Sequence, residues 1–491
     1  MPTGRRAHRN TNHLTKGDAH MPENEDRTPR VSDNPENVGD QDRLTVESDT
    51  VVPSPALVRR GWVASTFESF AYRDFTLFWS GALVSNVGTW MQNAALAILV
   101  WKIQPARASF NTGIVQGLAG LPVLFLAILA GAVADRVDRR KLLVWIQVVL
   151  LVLAAAMGVL YDTKVLSSAQ PVLSLALVST LGLIGGIFVA FQGPAFQSIL
   201  PDLVPRKSLM NGIALNSAQL QSSRMLGPAI VAGMILIGSG LGLVFYINAL
   251  SFLFVIAALL AIRTRVEFHP GHGVEAASNA GEPSSAWKTL TAGITYAREH
   301  SAVGVLILTT AFLVFFGFPY MIILTAIIQE RFAGSDVARL YSIVYTFNGM
   351  GALIGAVGIA GLPATVRRNR VIPATLLLFA LLIIGFSFAT TLPVMIVCTM
   401  LAGAAYISTS SLVMTSIQAA VPGYLRGRVM ALFMMAFMGV MPLSAIAFGP
   451  LGQAIGPEAA VLAGGVVLAA WAALLLLRPS WLRMEAANAQ G

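Results

Sequence analysis

The chain has 491 residues, 55% of them hydrophobic and only 12% charged, with a mean hydropathy of +0.70, far from the roughly 25% charged usage of soluble domains. That composition excludes a soluble globular domain and indicates a polytopic membrane protein, and the single cysteine, Cys398, excludes an intrachain disulfide and a cysteine metal site. The net charge of +9 does not signal nucleic acid. Residues 1 to 60 hold nine Lys/Arg against ten Asp/Glu, and the excess, 24 against 14, belongs to the membrane region, where charge asymmetry across the bilayer accounts for it.

Residues 1–60, rich in Arg, Asp, Glu, Asn and Pro with hardly any aromatics, predict a disordered cytoplasmic tail. No apolar stretch follows the early arginines, so no cleaved secretory signal is expected. Trp62 to Arg73 mixes aromatic and polar residues and predicts an interfacial approach helix. Stretches long enough to cross about 30 Å of hydrocarbon then recur. They fall at 75–101, 111–134, 142–161, 171–199, 209–237, 241–262, 303–328, 338–362, 371–389, 392–419, 429–454 and 460–477, twelve spans in all. The predicted fold class is an all-α membrane protein of two pseudo-symmetric six-helix bundles, residues 61–262 and 303–477. A cytoplasmic central loop, 263–302, separates them, and 478–491 forms a short cytoplasmic tail.

Orientation follows from the loops. Those after even-numbered spans hold fifteen cations, among them Arg136, Arg139, Arg140, Arg426 and Arg428, while the opposite loops hold Lys102, Arg107, Lys164, Arg331 and Arg339. Both termini are therefore expected on the cytoplasmic side of the cell (inner or plasma) membrane. Within the central loop, 286–299 predicts a surface helix with Trp287, Leu290, Ile294 and Ala297 on one side. The halves carry a faint internal repeat. Val204-Pro205 before Arg206 and Lys207 answers to Val421-Pro422 before Arg426 and Arg428, and Arg139-Arg140 answers to Arg367-Arg368. Pro363 stands at the position equivalent to Asp135.

The stretch AILAGAVADRVDRRKLL, 127–143, packs six charged residues between two apolar helices. Charges are expensive in hydrocarbon, so the turn must lie at a membrane surface. Asp135 comes at the end of a helix whose dipole disfavours an anion, so it is expected to find a cation or another helix's N-terminus and to act as a latch. The spacing Gly131-x3-Asp135-Arg136-x2-Arg139-Arg140 resembles the loop between helices two and three of the major facilitator superfamily, G-x-x-x-D-R-x-G-R-R/K. Asp138 stands here in place of the second glycine. The alternative reading is a basic loop that only sets topology.

A longer stretch, QGPAFQSILPDLVPRKSLMNGIALNSAQLQSSRMLGPAIVAG (192–233), resembles the transmembrane secretion effector branch of that superfamily. YRDFTLFWSG (72–81), FYINALSF (245–252) and VPGYLRGRVM (421–430) extend the likeness along the membrane region. Phe196 replaces the arginine that the branch carries after Pro-Ala. Gly227-Pro228 resembles the Gly-Pro of the antiporter signature, with a packing kink as the alternative. Arg224 lies near the middle of the fifth span and must face protein or a watery cavity. It is either bonded to neighbouring carbonyls or a substrate or gating arginine. None of the fourteen Asp/Glu beyond residue 60 falls mid-span, and Val189 occupies a position where many relatives place an arginine.

By resemblance, spans one, four, seven and ten line the cavity, which makes Asn86, Trp90, Asn93, Gln192, Tyr320, Tyr406 and Ser410 candidate path residues, joined by Gln221 and Arg224 of span five. Each could instead serve an interhelical hydrogen bond. Phe312, Phe316 and Tyr320 follow one another at four-residue spacing and could stack on a solute or form a packed ridge. Enzymatic chemistry finds little support: the sequence has no G-x-x-x-x-G-K-[ST] loop, and His269 and His272 lack carboxylate or thiolate support for a metal. No cofactor, metal or nucleic acid is expected, and the chain is expected to be a monomer. The resemblance implies a secondary active exporter of a siderophore-like or amphipathic small molecule, working by alternating access and drawing on protons. A broad drug or macrolide exporter, and a nontransporting membrane scaffold or sensor, are the competing readings.

Overall fold

The computed structural model describes residues 67–134, 137–263, 286–360 and 367–482. The N-terminal tail, Asp135, Arg136, Pro363, His269 and His272 lie outside the described residues. The spanning helices are α1 (Arg73–Ile103), α2 (Ala108–Ala134), α3 (Arg139–Asp162), α4 (Pro171–Ile199), α5 (Leu209–Leu236), α6 (Leu241–Ala261), α7 (in pieces, Ser301–Gly317, Pro319–Ile322 and Leu324–Arg331), α8 (Val337–Ala360), α9 (Arg368–Phe388), α10 (Leu392–Ala420), α11 (Gly423–Met434, a π turn Met435–Gly439, and Val440–Ile455) and α12 (Pro457–Leu477). Eleven of them are long and apolar enough to cross a membrane. The remaining one, α5, has the length but not the hydropathy, because Asn211, Asn216, Gln219, Gln221 and Arg224 interrupt its apolar residues. Such a helix is stable in a bilayer only when protein covers its polar side, and α5 packs against α1 and α8.

Two expectations change in detail. The approach segment is a short 3-10 turn, Glu68–Ala71, that docks on the start of α5 through Ser69 N donating to Asn211 Oδ1 at 3.0 Å. Phe70 meets Trp79 edge-on at 4.8 Å. The seventh span is not one helix. Pro319 has no N–H to donate, so the backbone ladder breaks after Gly317 and restarts in a short piece that carries Tyr320.

The helix pairings repeat six positions along the chain. α2 packs on α4 and α8 on α10; α3 packs on α6 and α9 on α12; α3 meets α4 and α9 meets α10. Across the two halves, α2 meets α11 and α5 meets α8, again a pair related by the same shift. At the α2–α11 crossing the backbones touch: a Cβ placed on Gly449 would lie 2.7 Å from Gly113 Cα.

The core is distributed unequally between the two ends. At the end bearing the α1–α2 and α7–α8 connections, here the far end, one continuous cluster joins the halves, running through Ile98 and Ile103 of α1, Ile323 and Ile327 of α7 and Val344 of α8. At the end where α1 starts, the cores are separate: Phe75, Leu143, Ile199 and Leu259 belong to one half, and Val303, Ile372, Ile417 and Val429 to the other. Trp101 of α1 donates its indole N–H to Gln329 Oε1 at 2.5 Å and Gln453 Nε2 donates to Ala106 O at 3.1 Å, both across the halves at the far end. The halves are thus sealed together at the far end and cored separately at the other.

Candidate transport site

Arg224 stands where the halves meet at mid-depth. A Cβ on Gly349 of α8 would come within 2.7 Å of Arg224 O, so α5 and α8 cross at this level. One turn on, Gly227 allows α5 to lie directly on α1, where a Cβ would meet Trp90 Cβ at 2.5 Å and Met91 N at 2.8 Å. That approach brings the Trp90 ring beside the guanidinium: Arg224 Cζ lies 5.5 Å from the Trp90 centroid and 6.0 Å from that of Tyr406 on α10, within the reach of a cation–π attraction. Tyr345 of α8 meets Trp90 edge-on at 6.3 Å. Five helices from both halves therefore meet in one cationic, aromatic-walled site, with α7 contributing the buried Tyr320 at its break.

Asn348 holds the wall in place. Fully buried, it donates from Nδ2 to Tyr320 Oη at 2.5 Å and to Thr399 O at 3.0 Å, which ties α7, α8 and α10 together. Its Oδ1 and the Nε of Arg224 are buried without a hydrogen-bond partner. Buried polar atoms are normally satisfied, so two such atoms beside a mid-span charge mark unspent hydrogen-bonding capacity at this level. Behind the wall, Phe379 supports both Tyr320 at 6.1 Å and Tyr406 at 5.6 Å.

The candidate path residues divide into two groups. Trp90, Arg224, Tyr320 and Tyr406 converge. Ser410 lies one turn beyond Tyr406 and turns its hydroxyl back to Tyr406 O at 2.9 Å, a bond within its own helix. Asn86, Gln192 and Gln221 are half-buried and Asn93 is exposed; among the described residues no hydrogen bond or ring contact joins these four to the cluster. Phe312 stacks on Trp471 at 4.9 Å and Phe316 packs on Phe448 at 6.2 Å, so the ridge above the break faces α11 and α12 while Tyr320 faces Asn348. Tyr345, Asn348 and Thr399 were not singled out from sequence. Tyr341-x3-Tyr345-x2-Asn348 does carry a signal, a polar group at helical spacing from two tyrosines in an apolar span.

Around the charged turn, Asp138 caps α3 by accepting from Arg140 N at 3.0 Å and Lys141 N at 3.1 Å. Its φ of −59° is one that any residue adopts, so position 138 itself does not require a glycine. Arg140 Nη2 donates to Leu260 O at 2.8 Å and fastens α3 to the end of α6. Gly131 lies in the last turn of α2. The contacts of α2 with α11 run from Ser109 near Gly452 to Leu124 near Gly439. The first piece of α11 packs on the surface helix Ala286–Glu299, where a Cβ on Gly293 would meet Arg428 O at 3.0 Å. Arg426 is exposed, Arg428 is half-buried, and Pro228 sits inside an uninterrupted α5. At the far end, Arg331 pairs with Glu458 and donates to the carbonyls of Ser387 and Ala389 that end α9.

Residues 64–490 match the transmembrane secretion effector family, and the chain belongs to it. Among curated relatives, the staphyloferrin A transporter of Staphylococcus aureus is 25% identical over 372 residues, covering 75% of this chain and 87% of that one. The enterobactin exporter EntS of Escherichia coli is 22% identical, covering 85% and 95%, and the multidrug efflux pump Tap of Mycolicibacterium fortuitum is 23% identical, covering 78% and 90%. The fold matches the crystal structure of the nucleoside transporter NupG, with a TM-score of 0.58 at 12% identity over 83% of this chain and 99% of that one. The protein is a multi-pass membrane transporter of the major facilitator fold, not an enzyme.

Proposed function

We propose that this protein exports a siderophore-like or amphipathic small molecule across the inner or plasma membrane by alternating access, with both termini cytoplasmic. The observation that carries the reading is the cationic, aromatic-walled site around Arg224, built from both halves where rocking of one bundle on the other exposes it to either side in turn. With the fifteen-to-five loop charge bias setting the orientation, the sealed far end is external and the site faces the cytoplasm, the loading side for an exporter. Siderophore transport in two of the curated relatives supports the solute class. The spans hold no acid mid-way, so proton exchange would have to run through Asp135 or another acid at a helix end.

The test begins with a comparison of culture medium from cells with and without the gene. The metabolite that disappears is then offered to the purified protein in proteoliposomes. Exchange of labelled against unlabelled metabolite is the expected result; a scaffold or sensor would give none.

A further inference from the structure

The site holds a positive charge for which the membrane interior supplies no counter-ion. Among the described residues, Arg224 is the one Lys or Arg at mid-span, and every Asp and Glu lies at a helix end or in a loop. The rings that face it are Trp90 from α1 and Tyr406 from α10, with Tyr345 of α8 edge-on to Trp90 and Tyr320 of α7 held beside them by Asn348. Rings reduce the cost of a buried cation but do not neutralise it. A solute that brings its own negative charge completes the site. A cationic solute would add a second positive charge at low dielectric, which is strongly repulsive.

The same inventory bears on energy. Coupling to protons requires a group on the path that changes charge between about pH 5 and 8, which carboxylates and histidine supply when suitably placed. Phenols and guanidinium groups ordinarily titrate well above that range. His300, the one histidine in the described residues, stacks on Tyr296 at 3.9 Å, outside the spans.

On the export reading above, we infer that the solute is an anion and that the membrane potential, not a pH gradient, drives it out. Loaded, Arg224 and the anion cancel and the site crosses as a neutral unit; empty, the site returns with its positive charge toward the negative interior. Each cycle moves negative charge outward. For a univalent anion, a potential of 100 mV, negative inside, supports a concentration ratio of about fiftyfold, and each further charge multiplies it again.

Two dyes of similar ring size and opposite charge, carboxyfluorescein and rhodamine 123, test the charge selectivity. Anisotropy with the purified protein should show the anion binding at least tenfold more tightly than the cation, with that preference lost in Arg224→Gln and partly kept in Arg224→Lys. Carboxyfluorescein-loaded proteoliposomes should release dye faster when potassium and valinomycin make the interior negative, and should not respond to a pH gradient clamped at zero potential. Equal or tighter binding of the cation, binding of neither dye, a preference that survives Arg224→Gln, or release that follows the pH gradient would each overturn the inference. Failure of the export reading shows separately, as absence of metabolite exchange in the wild type.

Discussion

Arg224 and Asn348 carry the site in different ways, and their substitutions should be distinguishable. Arg224→Gln removes a half-buried mid-span charge that has no acidic partner among the described residues, so the protein should fold about as well as wild type while solute affinity falls tenfold or more. Asn348→Leu leaves the Tyr320 hydroxyl and the Thr399 carbonyl without their shared donor. It should cost about 1–3 kcal/mol of stability and lower affinity only indirectly. Thermal unfolding in detergent alongside dye binding separates the two. At the far end, the Glu330 carboxyl is pushed above its ordinary 4.5 by burial first and by the Glu458 charge second, partly offset by Arg331. An acid whose pKa is raised on folding is bound to its proton more firmly in the native state, so its contribution is present below 4.5 and is lost as pH rises through the folded value. Glu330→Gln should flatten the stability profile just above pH 4.5; a profile identical to wild type would show that the carboxyl is not penalised.

Individual helices reveal what was legible in the sequence and what was not. Apolar length located the spans, including α5, although its polar residues lower its hydropathy. The break in α7 is not legible in apolar length, which gives 303–328 as one span; the restart at Pro319 shows only in the structure. Trp90, Tyr320 and Tyr406 are candidates because the resemblance sets their spans around the cavity, and Arg224 because a mid-span charge needs protein or water beside it; the structure brings the four together. Tyr345 and Asn348 escaped because nothing local tells which face of α8 meets α5. Gly227 illustrates contact that sequence cannot show. Gly227→Leu would drive a side chain into the Trp90 backbone, separate α1 from α5, and cost about 1–3 kcal/mol with loss of dye binding. Unchanged binding in that variant would mean that the α1–α5 crossing does not position Trp90.

At the scale of the whole molecule, one shared core and two separate ones define which end is closed. The proposed orientation makes the closed end external. Cysteines introduced at Ser278 and Ser239, in a Cys398→Ser background, should therefore label from opposite faces, and labelling from the same face would remove the topology. The opposite, outward-open state needs a cytoplasmic lock, and we propose Asp135 as its acid. The first piece of α11 packs on the surface helix, and closure would bring Arg426, Arg428 and the new helix's amides to the acid. Such a contact contributes about 1–2 kcal/mol, roughly a tenfold change in the ratio of the two states. Asp135→Asn should raise accessibility of a cytoplasmic-cavity cysteine and slow export without unfolding the protein; wild-type accessibility and export would leave the loop as a topological anchor.

The central claim is that a solute passes through the site at Arg224. Its most direct test is exchange of the metabolite missing from knockout medium in proteoliposomes carrying equal amounts of folded wild-type and Arg224→Gln protein. The expected result is robust exchange by the wild type and less than a tenth of that rate in Arg224→Gln. Equal exchange by both proteins would contradict it.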